Sequence, residues 1–236
     1  MKKAASMKKA AILTVIGVLT ILTVWILSRS FESFDVVGRD SVRAFDDLLQ
    51  KTSQLVSEDG ENGAWSITAP DNGARFTWRW EHSARDNDVT LEIDAAPFIA
   101  AGLDTLKLPQ HIAFSDGKLA LGTKLVPAGS ESKAKAKSTP LSAYECLVNL
   151  NRNAIGYHAA LDHYGINVGG GNLFEWAKDL NSNDKDMVFV LNPDPFITAG
   201  VAPDKIDGWA FAKVTVDDEN GKPVQVDKIL KPFNLN

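Results

Sequence analysis

The chain of 236 residues carries the stretch PFIAAG at residues 97–102 and repeats it, as PFITAG, at residues 195–200. The two stretches belong to a longer repeat. Residues 76–108 align with residues 174–206 without a gap, and 10 of the 33 aligned positions are identical. Average composition would give roughly 2 identities. The sequence therefore predicts two divergent copies of one structural unit.

Each short stretch has the pattern of a single helical turn. Asp194 is a favourable N-cap, and Pro195 suits the first helical position because the amide hydrogen that proline lacks would have no partner there. Gly200 supplies the left-handed residue that ends many helices. A ligand-binding loop is the alternative interpretation, but each of these residues has a conformational role, which favours the helical turn.

Residues with strand-forming patterns flank these turns. The predicted strands are WSIT, RFTWRWE and VTLEID in the first unit, and GINV, NLFEWAK and DMVFVLN in the second. A closing hairpin follows in each unit, with turns at Asp116-Gly117 and Asn220-Gly221, residue pairs that tolerate positive φ. The strand VTLEID alternates apolar and polar residues, whereas MVFVL is apolar on both faces. The second sheet is therefore expected to be covered on both sides.

A predicted helix precedes the strands of each unit. In the first unit Val42, Phe45, Leu49, Thr52 and Val56 have the spacing of one buried helix face, and the matching residues in the second unit are Leu147, Leu150, Ala154, Tyr157 and Leu161. This match extends the second helix through Leu161 and places His158 and Asp162 on one face of it. His163 would lie about 140° around the helix from His158, too far for the two histidines to share a metal ion.

The predicted fold class is α+β: an N-terminal transmembrane helix followed by two tandem divergent repeats, each a helix plus a mainly antiparallel sheet with a short helical turn and a closing hairpin. The predicted boundaries are 1–29 for a cytoplasmic tip and anchor, 30–39 for a stalk, 40–126 for unit one, 127–140 for a linker and 141–236 for unit two. Two such units packed as a pair would form a cleft between them, and clefts of this kind often bind ligands.

The membrane prediction rests on the first thirty residues. Residues 10–28 form an uncharged apolar run, which is long enough to nearly cross a hydrocarbon core of about 30 Å. Four lysines precede this run, so the positive-inside rule places the N-terminus in the cytoplasm and the remainder outside the cell membrane. A cleaved signal peptide is the alternative, but the run exceeds the roughly 7 to 15 apolar residues of such peptides.

Composition and motifs narrow the function classes. The formal net charge of −5 provides no basic surface for phosphates, so no nucleic-acid partner is expected. The single cysteine, Cys146, lies in an apolar helical pattern typical of a buried thiol. Residues 179–186 resemble the beginning of a calcium loop but lack its glycine and its closing glutamate. The sequence contains no recognisable motif of a metal, cofactor or hydrolase site, so no catalytic residue, metal or cofactor is assigned.

The candidate ligand-binding residues are Trp80, Glu92, His158, Asp162 and Trp209. Trp80 and Trp209 have no aromatic counterpart in the other unit, as expected of side chains that line a cleft. His158 and Asp162 suit a hydrogen-bonded, acid–base or metal-binding pair, although a surface pair without a function is the simpler interpretation.

The expected function is that of a membrane-anchored extracytoplasmic binding module. Its ligand would be a small molecule held between the units, or its partner a protein in the same membrane. Two alternatives remain open: an envelope enzyme that uses Glu92, His158 or Asp162 in the cleft, and a structural subunit of a membrane complex. A binder predicts a concave aromatic cleft, an enzyme predicts convergent titratable groups, and a structural subunit predicts an exposed apolar patch.

Overall fold

The computed structural model describes residues 36–82, 87–126, 128–129, 138–180, 185–217 and 222–235. The predicted transmembrane run, most of the predicted linker, the central part of the calcium-like loop and the Asn220-Gly221 turn lie outside these ranges. Within these ranges no helix combines the length and the apolar character needed to cross a membrane.

Unit one consists of a helix, six strands and a short helical turn. Its elements are α1 (36–51), β1 (Val56–Asp59), β2 (Ala64–Thr68), β3 (Ala74–Arg79), β4 (Val89–Asp94), α2 (Ala96–Ala100), β5 (Ile112–Ser115) and β6 (Lys118–Thr123). The strands form an antiparallel sheet in the order β1-β2-β3-β4-β6-β5. Residues 36–39, which were predicted as part of a stalk, are helical and belong to α1.

Unit two has the same elements in the same order. They are α3 (Pro140–Leu150), β7 (Ile155–His158), β8 (His163–Gly169), β9 (Asn172–Ala177), β10 (Met187–Leu191), α4 (Asp194–Thr198), β11 (Ala210–Asp217) and β12 (Pro223–Phe233). The sheet order β7-β8-β9-β10-β12-β11 reproduces that of unit one. The structure thus confirms an α+β fold with two antiparallel sheets, each preceded by a helix, as expected of a duplicated unit.

The predicted second helix is too long. α3 ends at Leu150, and the residues predicted as its last two turns form a 3-10 turn and the hairpin of β7 and β8. The helix ends at Asn151, whose φ of −143° is not helical, and Gly156 is a poor helix former. The helices in fact match with a shift of 99 positions, which pairs Phe45 with Tyr144.

The predicted N-cap of the short turn is also wrong. Asp194 lies inside α4, and its amide donates instead to the side chain of Asn192, with 3.2 Å between N and Oδ1. In unit one Asp94 occupies the same place and accepts from the amide of Ala96 at 3.1 Å. In each unit the side chain of a polar residue accepts a hydrogen bond from the first amide of the helical turn, two positions later, and so stabilises the turn. The predicted left-handed glycine is confirmed, because Gly200 has a φ of 98°.

Equivalent residues of the two units contact each other through one shared core. Phe76 stacks on Phe174 with 4.4 Å between ring centroids, and Phe45 stacks on Tyr144 at 4.0 Å. When a residue meets its own counterpart at several places, a twofold axis passes between the copies. The axis here runs between the two sheets, whose inner faces form a single hydrophobic cluster.

The PFIAAG and PFITAG stretches meet at one end of this axis. The amide of Asp104 donates to the carbonyl of Ala199 at 2.8 Å, and the amide of Ala202 donates to the carbonyl of Ala101 at 2.9 Å. Between these reciprocal bonds, a Cβ added to Gly102 would lie 2.7 Å from the carbonyl oxygen of Gly200. The six residues recur because both copies must approach each other this closely.

A second repeated residue fixes the end of each sheet. Asp88 accepts hydrogen bonds from the amides of Leu125 and Val126, at 2.7 and 2.9 Å, just after β6. Asp186, its counterpart 98 positions later, accepts from the amide of Leu235 at 2.5 Å, just after β12. Both carboxylates are buried, so each unit uses one buried acid to hold the chain that leaves its closing strand.

The glycine contact gives the first prediction. Gly102→Ala should lower the free energy of unfolding by clearly more than Gly117→Ala. Both positions have positive φ, 107° and 73°, but an added Cβ at Gly117 meets no atom within 4 Å. The control should therefore show only the backbone cost, about 1–2 kcal/mol. Urea unfolding followed by tryptophan fluorescence measures the difference, and equal losses in the two variants would refute the close contact.

Candidate functional site

The outer faces of the two sheets differ in chemistry although their folds match. In unit one the cross-strand pair Arg75 and Glu92 forms an ion pair, with 3.0 Å between Nη2 and Oε2. In unit two the equivalent pair is Leu173 and Val190. The outer face of unit two is therefore apolar where that of unit one is charged.

The closing hairpin of unit two is longer than that of unit one and reaches across the sheet. β11 and β12 pair over eight residues, whereas β5 and β6 pair over four. The ring of His158, in the edge strand β7, lies with its Nε2 3.0 Å from the carbonyl oxygen of Thr215 in the opposite edge strand β11. This contact joins the two edges, so the sheet curls around its own outer face.

The curled sheet encloses a cavity of about 480 Å³. Its apolar walls come from β9 to β12 and from the β7–β8 turn, and they include Leu173, Val188, Val190, Val214, Leu230 and Pro232. Six polar side chains complete the lining, namely His158, Asp162, His163, Glu175, Lys185 and Lys228. A mostly apolar cavity of this size with a few polar groups is the usual form of a small-molecule site.

A second cavity of about 510 Å³ adjoins the first on the side of β7. The two share the lining residues His158, Ala159, Ala160, Leu173 and Glu175, so Glu175 stands at the wall of both. Gly156 and Gly165, directly opposite each other in β7 and β8, keep the space beside this carboxylate open, since a Cβ at Gly165 would lie 3.1 Å from Cγ of Glu175.

Glu175 is the central polar group of the site. It lies on β9 between the inward-facing Phe174 and Trp176, points to the outer face, and is only 3% exposed. Its Oε1 is 3.5 Å from Nδ1 of His158, and its Oε2 is 3.8 Å from Nδ1 of His163. Within the described part of the chain, Oε2 has no hydrogen-bond partner.

The position of His158 favours its charged form. Nε2 faces the carbonyl oxygen of Thr215, which only accepts hydrogen bonds, and Nδ1 faces the carboxylate of Glu175, which also only accepts when ionised. Both neighbours are satisfied when both ring nitrogens of His158 carry hydrogen. In that form the imidazolium neutralises the carboxylate, and the contact with Thr215 ties β7 to β11.

Electrostatics keep Glu175 ionised. Burial alone would raise its pKa, but the adjacent imidazoles of His158 and His163 outweigh burial and hold the pKa of Glu175 below its ordinary value. Lys228, half-buried at the same wall, donates to the carbonyl oxygen of Gly171 at 2.8 Å, and burial lowers its pKa. The site thus combines one buried carboxylate with nearby cationic groups.

The structure brings only two of the five predicted ligand-binding residues to this cavity. His158 lies at its centre, and Asp162 lies on its rim in the β7–β8 turn, with φ at 53°. Asp162 accepts a hydrogen bond from the hydroxyl of Tyr157, which raises the pKa of that tyrosine to about 12, and lies 3.8 Å from Nζ of Lys178. These contacts hold the turn in place.

The other three predicted residues lie elsewhere. Trp80, just beyond β3, packs edge-on against Trp65 at 6.3 Å, and Trp209 packs edge-on against Phe98 at 5.4 Å. Glu92 is paired with an arginine on the outer face of unit one. The space where a cleft between the units was expected is filled by the stacked aromatic rings of the shared core.

Two residues of the site, Glu175 and His163, were not among the predicted ones. The assignment of a helix through residue 161 separated the histidines, whereas the observed hairpin places His158 directly opposite His163. The apolar strand β10 was the signal that could have revealed Glu175. A strand that is apolar on both faces lies in a sheet covered on both sides, so the outward-facing residue of the adjacent strand β9 is buried as well.

A metal site is not apparent at this position. Within the described ranges, no group of three or more His, Cys, Asp or Glu side chains is arranged to hold a metal ion. Comparison with protein families, with characterised proteins and with solved structures finds no match for this chain. The geometry of the site therefore has to carry the functional argument.

The lowered pKa of Glu175 predicts a pH dependence. Its contribution to stability is present above the ordinary pKa of 4.5 and is lost as the pH falls through the lower pKa of the folded state. Unfolding free energies measured from pH 6 to about pH 3 should therefore fall more steeply for the wild type than for Glu175→Gln, which has no group to protonate there. Parallel curves for the two proteins would contradict the ionised pair.

Proposed function

We propose that this protein is a membrane-anchored extracytoplasmic binding module that holds a small molecule in the cavity of unit two. Unit one serves as the packing partner that completes the shared core. The anchor and the outward orientation are supported by the uncharged run at residues 10–28 and the lysines before it.

The observation that carries the proposal is the divergence of the two outer faces. One strand pair carries a half-buried ion pair in unit one, whereas the equivalent pair in unit two forms the apolar wall of Leu173 and Val190. The longer hairpin and the His158–Thr215 contact enclose that wall. A fold that needed only stability would gain little from a buried carboxylate in such a cavity, since burying a charge is costly.

Native mass spectrometry tests the small-molecule ligand. The full chain, purified in detergent from the producing cell, should show a mass excess over the denatured chain that matches no detergent molecule. Val214→Trp should abolish this excess, because Val214 lines the cavity and the larger ring would fill it.

The control for that experiment is Lys213→Trp. Lys213 is the neighbour of Val214 on β11, forms an ion pair with Asp227 at 3.1 Å on the exposed surface, and is not among the residues that line the cavity. This variant should retain the excess mass. A wild-type chain without any excess would argue against a tightly held small molecule and would favour a protein partner in the membrane.

Protease accessibility tests the topology. Protease added outside intact cells should degrade residues 40–236 and spare the N-terminal lysines, because the positive-inside rule keeps those lysines in the cytoplasm. Permeabilised cells are the control in which both parts become accessible. Full protection of the body in intact cells would overturn the proposed orientation.

A further inference from the structure

We infer that the ligand of the unit-two cavity is a neutral molecule with an apolar body and one hydroxyl group, and that this hydroxyl binds between Glu175 and His163. The inference rests on the proposed function, since it assigns the ligand class of the same cavity. Three features of the cavity lining support it. A carboxylate oxygen and a nearby ring nitrogen both lack a hydrogen-bond partner in the described part of the chain, the charges around them favour a neutral group, and the neighbouring side chains are apolar.

The first feature is a pair of buried polar atoms without hydrogen-bond partners. Oε2 of Glu175 and Nδ1 of His163 are 3.8 Å apart, which is too far for a hydrogen bond between them. Neither atom has a hydrogen-bond partner in the described part of the chain, although both residues are buried and line the cavity. A hydroxyl oxygen that reached both atoms through a small movement of the His163 ring could donate to the carboxylate and accept from the ring. A hydroxyl group has both capacities.

The second feature disfavours a charged head group directly beside Glu175. The fixed carboxylate of Glu175 repels an anion, which also has no hydrogen to donate to it. His158, Lys185 and Lys228 line the same cavity and outnumber its two carboxylates, Asp162 and Glu175, so a cation would bring a further positive charge into a partly dehydrated space. The pair of Glu175 and His158 is already neutral, and a neutral donor leaves it so.

The third feature is the floor of the cavity. Val188 is the direct cross-strand neighbour of Glu175, and Leu173, Val190 and Leu230 continue the apolar surface away from it. A ligand whose hydroxyl reaches Glu175 would therefore lay its hydrocarbon part on these side chains. Burial of that part provides the affinity, and the hydroxyl provides the orientation.

Four probes of equal chain size test this assignment on the full chain in lipid nanodiscs. They are 1-hexanol, methyl pentyl ether, hexylammonium and hexanoate. Dissociation constants come from the methyl NMR signals of Leu173, Val188 and Val190 during titration. We expect 1-hexanol to bind about fivefold more tightly than the ether, which has the same number of heavy atoms but no hydrogen to donate. Both ions should bind more weakly than 1-hexanol.

The variant Glu175→Gln should reduce the preference for 1-hexanol over the ether to about twofold and leave the affinity for the ether unchanged, because a neutral amide oxygen is a weaker acceptor than a carboxylate. The matched control is Thr77→Gln, which introduces the same side chain at the equivalent position of β3 in unit one and should change neither constant.

The outcomes separate this inference from the proposed function. Equal binding of 1-hexanol and the ether, or tighter binding of either ion, would overturn the hydroxyl assignment and leave the cavity as a ligand site; tighter hexanoate would instead point to Lys228. Failure of all four probes to shift the cavity methyl signals would overturn both.

Discussion

The rings of Phe76 and Phe174 stack 4.4 Å apart where the two sheets meet, and the rest of the structure depends on this pairing of each residue with its own copy. The same pseudo-twofold axis brings Phe45 onto Tyr144 and Gly102 onto Gly200. A residue that must pack against its counterpart can change only if the counterpart changes with it. The inner faces and the two glycine-ended turns are therefore where the copies stayed most alike.

The outer faces are under no such constraint, because they do not meet. Unit one has an outer sheet face with an ion pair, whereas unit two has a longer last hairpin, edge strands joined through His158, and a buried Glu175. Duplication thus separates two tasks. Each sheet supplies half of the core with its inner face. The outer face of the second sheet can therefore form a cavity with apolar walls and a few buried polar groups without weakening that core.

Much of the fold could be predicted because the sequence contains two copies of the same structural unit. The strands β2 to β4 and their copies, the helical turns and the Asp116-Gly117 turn follow from local patterns that two divergent segments share. The second helix could not be placed in the same way: Ala154, Tyr157 and Leu161 have helical spacing by coincidence, and only the pairing of β7 with β8 reveals a hairpin. The error in the helix also hid the site. The site depends on the contact of His158 with Thr215, which lie in opposite edge strands of one sheet and 57 positions apart in sequence.

The shared core also determines the order in which the protein can mature. Phe76, Trp78 and Leu91 are fully buried in a cluster that includes residues of both units. While the chain is being synthesised from its N-terminus, all six strands of the first sheet are present after β6, but its inner face stays uncovered until β8 and β9 have emerged, about 50 residues later. Its apolar face is exposed for several seconds at ordinary rates of synthesis. A chaperone that shields apolar sheets would be of most use during this interval.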